Sequence, residues 1–234
     1  MTETDVVIVG GGIVGLAFAV EAHRRGLSVA LFERSPRAVG ASIRNFGMFW
    51  PIGQPAGRGF ARAMKSRRVY LDLAEKAGFW ADPRGSVHAA YHEDEWSCIH
   101  EFVERARPVG YDVQAVDARA ALRLYPALNP SGLRGALLSR TEVCVDPFEV
   151  IPKVTAWLAG RPGVRIETSA AVRAVRFPMV ELADGTSVHA GRVYVCSGDD
   201  VETLYPQALR TPVLSRCKLQ MMRTGPQPGM VSAR

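Results

Sequence analysis

The chain has 234 residues, a formal charge of +6, 47% hydrophobic and 22% charged residues, a balance that suits a globular protein with a sizeable core in one large or two modest domains. Its cations, such as Arg24, Arg25, Arg67, Arg68, Arg105 and Arg107, are spread along the sequence, which argues against a nucleic-acid-binding tract. Cys98, Cys144, Cys196 and Cys217 stand far apart with no C-x-x-C pair, which argues against structural zinc, any other metal centre and a disulfide scaffold, and the glycine-broken apolar run near the amino end is too short to cross a bilayer. No signal peptide is recognisable, so a reducing cytoplasm is the expected compartment, with no membrane partner.

Val6 to Val9 form a short β-branched run that stops at Gly10, and Gly10, Gly12 and Gly15 then stand at G-x-G-x-x-G spacing. Ile13, Leu16, Ala17 and Val20 recur at helical spacing up to the polar stop at His23–Gly26, so the glycines open a helix. A second strand, 28–32, ends in Glu33. Gly10 permits the turn, Gly12 lets a pyrophosphate reach backbone N–H groups, Gly15 lets the helix lie on its strand, and the helix N-terminus offers partial positive charge to phosphate. Glu33 falls where a carboxylate accepts the adenosine ribose hydroxyls, and it disfavours a 2′-phosphate there. Strand, glycines, helix, second strand and acid together predict a dinucleotide site rather than a merely glycine-rich turn.

After Glu33 comes a stretch without helix or strand period, from Gly40 to Gly53, in which small, polar, cationic and aromatic residues mix. A loop this apolar is expected to pack on something flat and large; the alternative is an ordinary connection whose aromatics tuck into the core. Ser42, Arg44 and Asn45 offer donors to phosphate, and Gly47 permits backbone approach to a planar ring. A helix follows over 59–77, a turn over 82–85, a strand over 86–91 and a helix over 93–107. His88, His92 and His100 lack the clustering of a metal site. A short helix over 117–124 and a strand over 133–138 come next. Asp146 and Pro147 suit the N-cap and first turn of a helix over 148–158, and Cys144 reads as a small buried hydrophobe. The pattern then turns strand-like, over 164–167, 171–177, 179–182 and 187–190, with a hairpin turn at Asp184–Gly185. A further strand over 192–196 runs into Ser197 and Gly198, a second backbone approach to the same dinucleotide. A last strand is expected over 213–223, with Lys218 as a cation for oxygen or substrate contact or, more simply, a solvated strand lysine.

The Gly10–Gly15 turn, Glu33–Arg34, the loop from Gly40 through Met48, Asp146–Pro147, Val172 and the strand into Gly198 resemble the D-amino-acid oxidase superfamily of FAD-dependent amine and amino-acid oxidoreductases, glycine oxidase and sarcosine oxidase among them. The wording of residues 44–48, 50–55 and 216–221 resembles one bacterial clade associated with phosphonate breakdown and proposed to oxidise aminophosphonates. The resemblance implies an α/β fold, with a Rossmann-like FAD-binding domain carrying a β-meander (1–82 and 142–208) and an inserted, truncated α+β substrate domain (83–141 and 209–234). It implies that Gly10, Gly11, Gly12, Ile13 and Gly15 hold the pyrophosphate and Glu33 the ribose. Arg34 would lie by the AMP half, Ser42 and Arg44 near phosphate or ribityl groups, and Asn45, Gly47 and Met48 along the flavin ring. Val172 would bond adenine through its backbone, and Ser197 and Gly198 would approach the diphosphate.

The activity implied is oxidation of a C–N bond in a small anionic amine, an aminophosphonate or amino acid, with no catalytic acid or base assignable. Family members run longer, so this chain is expected to be a fragment or one piece of an assembly, completed by another chain or by its own copies. The competing expectations are a nicotinamide-dependent dehydrogenase, disfavoured by the loop after Glu33, and a non-catalytic FAD-binding subunit.

Overall fold

The structure is a computed structural model that describes residues 2–200, 202–209, 217, 218, 220, 222 and 225. In chain order its elements are β1 (Thr2–Val9), α1 (Ile13–Arg24), β2 (Val29–Phe32), β3 (Met48–Phe49), α2 (Arg58–Ala77), β4 (Ala81–Asp82), β5 (Ser86–Ala90), α3 (Glu93–Ala106), β6 (Val113–Asp117) and α4 (Ala118–Leu124). They continue with β7 (Gly135–Ser139), β8 (Val143–Val145), α5 (Pro147–Ala159), β9 (Val164–Glu167), β10 (Val172–Arg176), β11 (Met179–Leu182), β12 (Ser187–Val195) and α6 (Pro206–Leu209). Most of the strand expected over 213–223 lies outside the described residues; Cys217, Lys218, Gln220 and Met222 are described and exposed. Among the described residues no helix is long and apolar enough to cross a membrane.

Contacts divide the chain into two units, residues 1–46, 75–79 and 146–221, and residues 47–74, 80–145 and 222–234. Residues 47–74, 80–82 and 142–145, which the sequence reading assigns to the first domain, thus group together in the second unit. They move as a set because β8 joins them: Met48–Phe49 pairs with one of its edges and Ala81–Asp82 with the other.

The first unit is a six-stranded sheet in the order β10-β11-β12-β1-β2-β9, with β12, β1, β2 and β9 parallel and the β10–β12 meander antiparallel. Val6, Val7, Ile8, Val9 and all of β2 are buried, the continuous apolar signature of parallel strands covered on both faces. Val7, Val9, Ala30 and Phe32 form one core with Val172, Val180, Leu182, Val188 and Ala190 of the meander. α1 buries Gly15, Leu16, Ala19, Val20 and Ala22, and α5 buries Val150, Ile151, Val154 and Leu158, each a helical stripe. The two helices meet where His23 packs edge-on against Trp157. Asp146 starts α5 as expected, its carboxylate accepting the Phe148 N–H at 2.8 Å.

Two expected strands, 187–190 and 192–196, are one. β12 runs unbroken through Gly191 because both flanks pair with β1, Ala190 with Thr4 and Arg192 with Val6.

The second unit holds two three-stranded sheets, β3-β8-β4 and β5-β7-β6. The second of these alternates its faces. Val113 and Leu137 join Ile52, Phe60, Ala106 and Tyr111 in one core, while Ala136 joins Ala121 and Leu133 in another. Tyr111 stacks on Phe60, ring centroids 4.0 Å apart, and its hydroxyl donates to the Gln54 carbonyl at 2.6 Å.

This unit also buries a carboxylate. Glu142, 4% exposed, accepts the Ile52 N–H (3.1 Å) and the Thr141 hydroxyl (2.8 Å) on Oε1 and the Ser86 hydroxyl (3.1 Å) on Oε2. Ser86 Oγ lies 3.0 Å from His88 Nε2, and the Trp50 ring stacks near the imidazole. Burial holds the His88 pKa below its ordinary value, against the opposing pull of Glu142. A histidine that binds its proton less tightly folded than unfolded destabilises the fold on acidification. His88 therefore contributes its full stability above about pH 6.5, and part of it is lost as pH falls from there through the lowered folded value. His88→Gln is expected to flatten the dependence of urea-unfolding midpoint on pH between about 6.5 and 5; an unchanged slope would assign the dependence to another group.

Candidate functional site

The parallel strands β12, β1 and β2 end side by side, and their carboxyl ends carry the residues that the sequence singled out. Two hydrogen bonds fix the corner, Gly10 N–H to the Phe32 carbonyl (2.8 Å) and Cys196 N–H to the Val9 carbonyl (2.7 Å). Gly10 has φ +106°, and a Cβ there would lie 2.3 Å from the Cys196 carbonyl oxygen. No side chain fits. A Cβ on Gly15 would lie 2.0 Å from the Gly10 carbonyl oxygen and 3.2 Å from Ile8 Cγ2, so its bare backbone is what seats α1 on β1.

Glu33 closes the corner from the β2 side. Its Oε2 accepts the Gly11 N–H at 2.7 Å and its Oε1 the Ser35 N–H at 2.9 Å. An ionised carboxylate has about four acceptor positions, so each oxygen keeps one. Ser169 and Ala170 donate to the Ser35 and Glu33 carbonyls (3.1 and 2.9 Å), which lays the segment entering β10, and with it Val172, along the end of β2. The Val172 side chain belongs to the core. Arg34 pairs with Asp200, Nη1 to Oδ2 2.5 Å.

Ser42 sits in a 3-10 turn, Ala41–Ile43, and its Oγ accepts the Ile13 N–H at 3.0 Å. That bond caps the first turn of α1, which has no side-chain cap of its own at Gly12. Two N–H groups expected at a phosphate, those of Gly11 and Ile13, are therefore bonded to side chains here. Those of Gly12 and Val14 make no hydrogen bond among the described residues. The Asn45 side-chain amide donates to the Ala41 and Ser42 carbonyls (3.2 and 2.9 Å), which closes the 3-10 turn. Arg44 is exposed. Ser197 turns inward, its hydroxyl donating to the Asp200 carbonyl at 2.7 Å, while Gly198 has φ +66° and open space where a Cβ would stand.

Gly47 and Met48 belong to the second unit. Gly47 has φ +66° and its carbonyl accepts the Val145 N–H at 2.7 Å; Met48 pairs with Cys144 and is 58% exposed. The loop's side chains divide. Phe49 stacks on Tyr70 and Ile52 is buried, but Phe46 is 70% and Trp50 48% exposed, so these two rings do not tuck into the core.

The residues present fit a dinucleotide. The glycine corner is bare where a Cβ would meet backbone, Glu33 keeps acceptor positions beside it, and α1 aims two N–H groups outward from its N-terminus. Burial raises the Cys144 and Cys196 thiols, so neither is a thiolate nucleophile at neutral pH. No group of three His, Cys, Asp or Glu side chains among the described residues is arranged to hold a metal. Asp200 and Glu142 escaped the sequence reading. The acidic pair Asp199–Asp200 directly after the second corner was the one available signal.

The chain is 30% identical over 151 residues to one of the subunits of anaerobic glycerol-3-phosphate dehydrogenase from Escherichia coli K12, covering 63% of this chain and 27% of that one. It is 29% identical over 141 residues to glycine oxidase of Geobacillus kaustophilus, 57% of this chain and 37% of that one. The crystal structure of glycine oxidase from Geobacillus kaustophilus superposes with a TM-score of 0.77 at 24% identity, over 89% of this chain and 59% of that chain. The chain thus spans about a quarter of the length of the dehydrogenase polypeptide, and it shares with glycine oxidase the mixed α/β fold and its parallel sheet. The FAD dependent oxidoreductase family matches residues 5–234, nearly the whole chain, and sets aside the nicotinamide alternative: the chain belongs to that family, whose cofactor is FAD.

Proposed function

We propose that the first unit holds FAD at the carboxyl ends of β12, β1 and β2, and that the protein oxidises the C–N bond of a small anionic amine. The observation that carries the cofactor half is the Glu33 carboxylate, fixed by the Gly11 and Ser35 N–H groups with an acceptor position left on each oxygen for a ribose diol. The N–H groups of Gly12 and Val14 hold the diphosphate at the α1 N-terminus. Ser42, already an acceptor for Ile13, keeps its hydroxyl hydrogen to donate. Arg34 and the Val172 backbone serve the adenosine end, and Ser197 and Gly198 the far side of the diphosphate. Arg44, exposed, is left for ribityl or phosphate contact. Bound FAD supplies the two-electron acceptor that no side chain offers.

The likeness to glycine oxidase supports the amine, and the wording of residues 44–55 supports an aminophosphonate within that class. A second reading follows from the likeness to glycerol-3-phosphate dehydrogenase: a phosphorylated polyol in place of the amine, with partner subunits around the chain. The four free cysteines favour a reducing compartment, the cytoplasm.

Anaerobic titration of the purified protein decides among these. Aminophosphonates or amino acids are expected to bleach the flavin bands; bleaching by glycerol 3-phosphate alone would favour the second reading, and absence of flavin would refute both. Glu33→Ala strands the Gly11 N–H and deletes the ribose acceptor. It is expected to weaken FAD binding by roughly thirtyfold, about 2 kcal/mol, read by quenching of flavin fluorescence; an unchanged Kd would remove Glu33 from the site.

A further inference from the structure

We propose that Arg34 and Asp200 form a clasp across the carboxyl end of β1 that retains the adenosine end of FAD, with Asp200 as the positioning residue for Arg34. This rests on the reading that FAD binds at that corner. Arg34 directly follows Glu33 at the end of β2, and Asp200 stands four residues beyond Cys196 at the end of β12. Because β1 lies between those strands, a side-chain bridge between residues 166 apart in sequence crosses above the Gly10 turn, where the dinucleotide enters.

The two ends of the bridge are unequal. Asp200 is fixed: its side chain is 12% exposed, Oδ1 accepts the Thr203 and Glu202 N–H groups (3.0 and 3.3 Å), and Oδ2 accepts the Thr203 hydroxyl (2.7 Å) as well as Arg34. Its acceptor positions are then filled, so it has none for a nucleotide hydroxyl and acts only through the arginine. The Thr203 hydroxyl, foremost among these bonds, holds the carboxyl below its ordinary pKa and keeps the anion in place at mildly acid pH. Arg34 is the adaptable end. Its side chain is 59% exposed, and with one N–H on Asp200 the guanidinium keeps donors for the nucleotide. Glu33, the adjacent acid, needs both of its oxygens for N–H groups and ribose. By supplying a separate anion, Asp200 leaves Glu33 free for the ribose.

Asp200→Asn keeps an oxygen for the Thr203 and Glu202 N–H groups and removes the charge, so a merely structural role would leave it silent. The FAD dissociation rate is expected to rise about three- to tenfold in Asp200→Asn and in Arg34→Met, and no further in the double variant. Raising ionic strength to about 0.5 M is expected to speed release from the wild type and hardly at all from Asp200→Asn. An unchanged rate in Asp200→Asn, additive effects, or equal salt dependence overturns the clasp while FAD binding stands. A wild-type chain that takes up no FAD overturns the cofactor reading and the clasp with it.

Discussion

Gly15→Ala is expected to cost on the order of 3–5 kcal/mol and to abolish FAD retention. The new Cβ would stand 2.0 Å from the Gly10 carbonyl oxygen and 3.2 Å from Ile8 Cγ2. Neither can yield. Ile8 is fully buried in β1, and the Gly10 backbone is tied to Phe32 by its 2.8 Å hydrogen bond. The helix must move instead, and with it go Leu16, Ala19 and Val20, all buried at 2% exposure or less, and the N–H groups proposed for the diphosphate. Gly40→Ala is the matched control. Its φ of −85° suits any residue and a Cβ there meets nothing within 4 Å, so it is expected to fall within about 0.5 kcal/mol of wild type. Thermal unfolding and flavin retention of the two variants side by side check the claim; a Gly15→Ala protein as stable as Gly40→Ala would refute the close seating of α1 on β1.

That corner was legible because each of its signals is local. A β-branched run, a glycine spacing, a helical stripe and a terminal acid all lie between Asp5 and Glu33, and each element restricts the next. Where the sequence reading failed, the deciding partner lay far away in sequence. Gly191 reads as a break between two strands, yet pairing with β1 on both sides carries β12 through it. β6 has only Val113, Ala115 and Val116 as apolar residues in Val113–Asp117, too weak a pattern to declare a strand, and its pairing with β7 makes it one. The Arg34–Asp200 pair joins two loops that meet only once β12 and β2 flank β1. Local grammar therefore marks the glycine corner, and the long-range pairing of the sheet supplies the charge that crosses it.

Glu142 shows the same dependence in the second unit, with an energetic consequence that can be measured. Its three donors come from residues 52, 86 and 141, so no window of sequence marks the carboxylate as buried or the site as satisfied. In Glu142→Ala the Thr141 hydroxyl can turn to Ser139 Oγ at 3.2 Å and the Ser86 hydroxyl to His88 Nε2 at 3.0 Å, but the Ile52 N–H is left buried without an acceptor. Adding the small cavity, the expected loss is about 3 kcal/mol. Glu142→Gln should cost only about 1 kcal/mol, because the amide oxygen keeps Ile52 and Thr141 while Ser86 turns its hydrogen to His88 and accepts from the new NH2 group. Both variants also remove the charge that opposes the downward shift of His88, so the imidazole should titrate at still lower pH in either. Urea unfolding ranks the two losses and an NMR titration of His88 reads the shift. Equal losses in the two variants would mean that charge rather than acceptor geometry secures Ile52, and an unmoved His88 would separate the carboxylate from the imidazole.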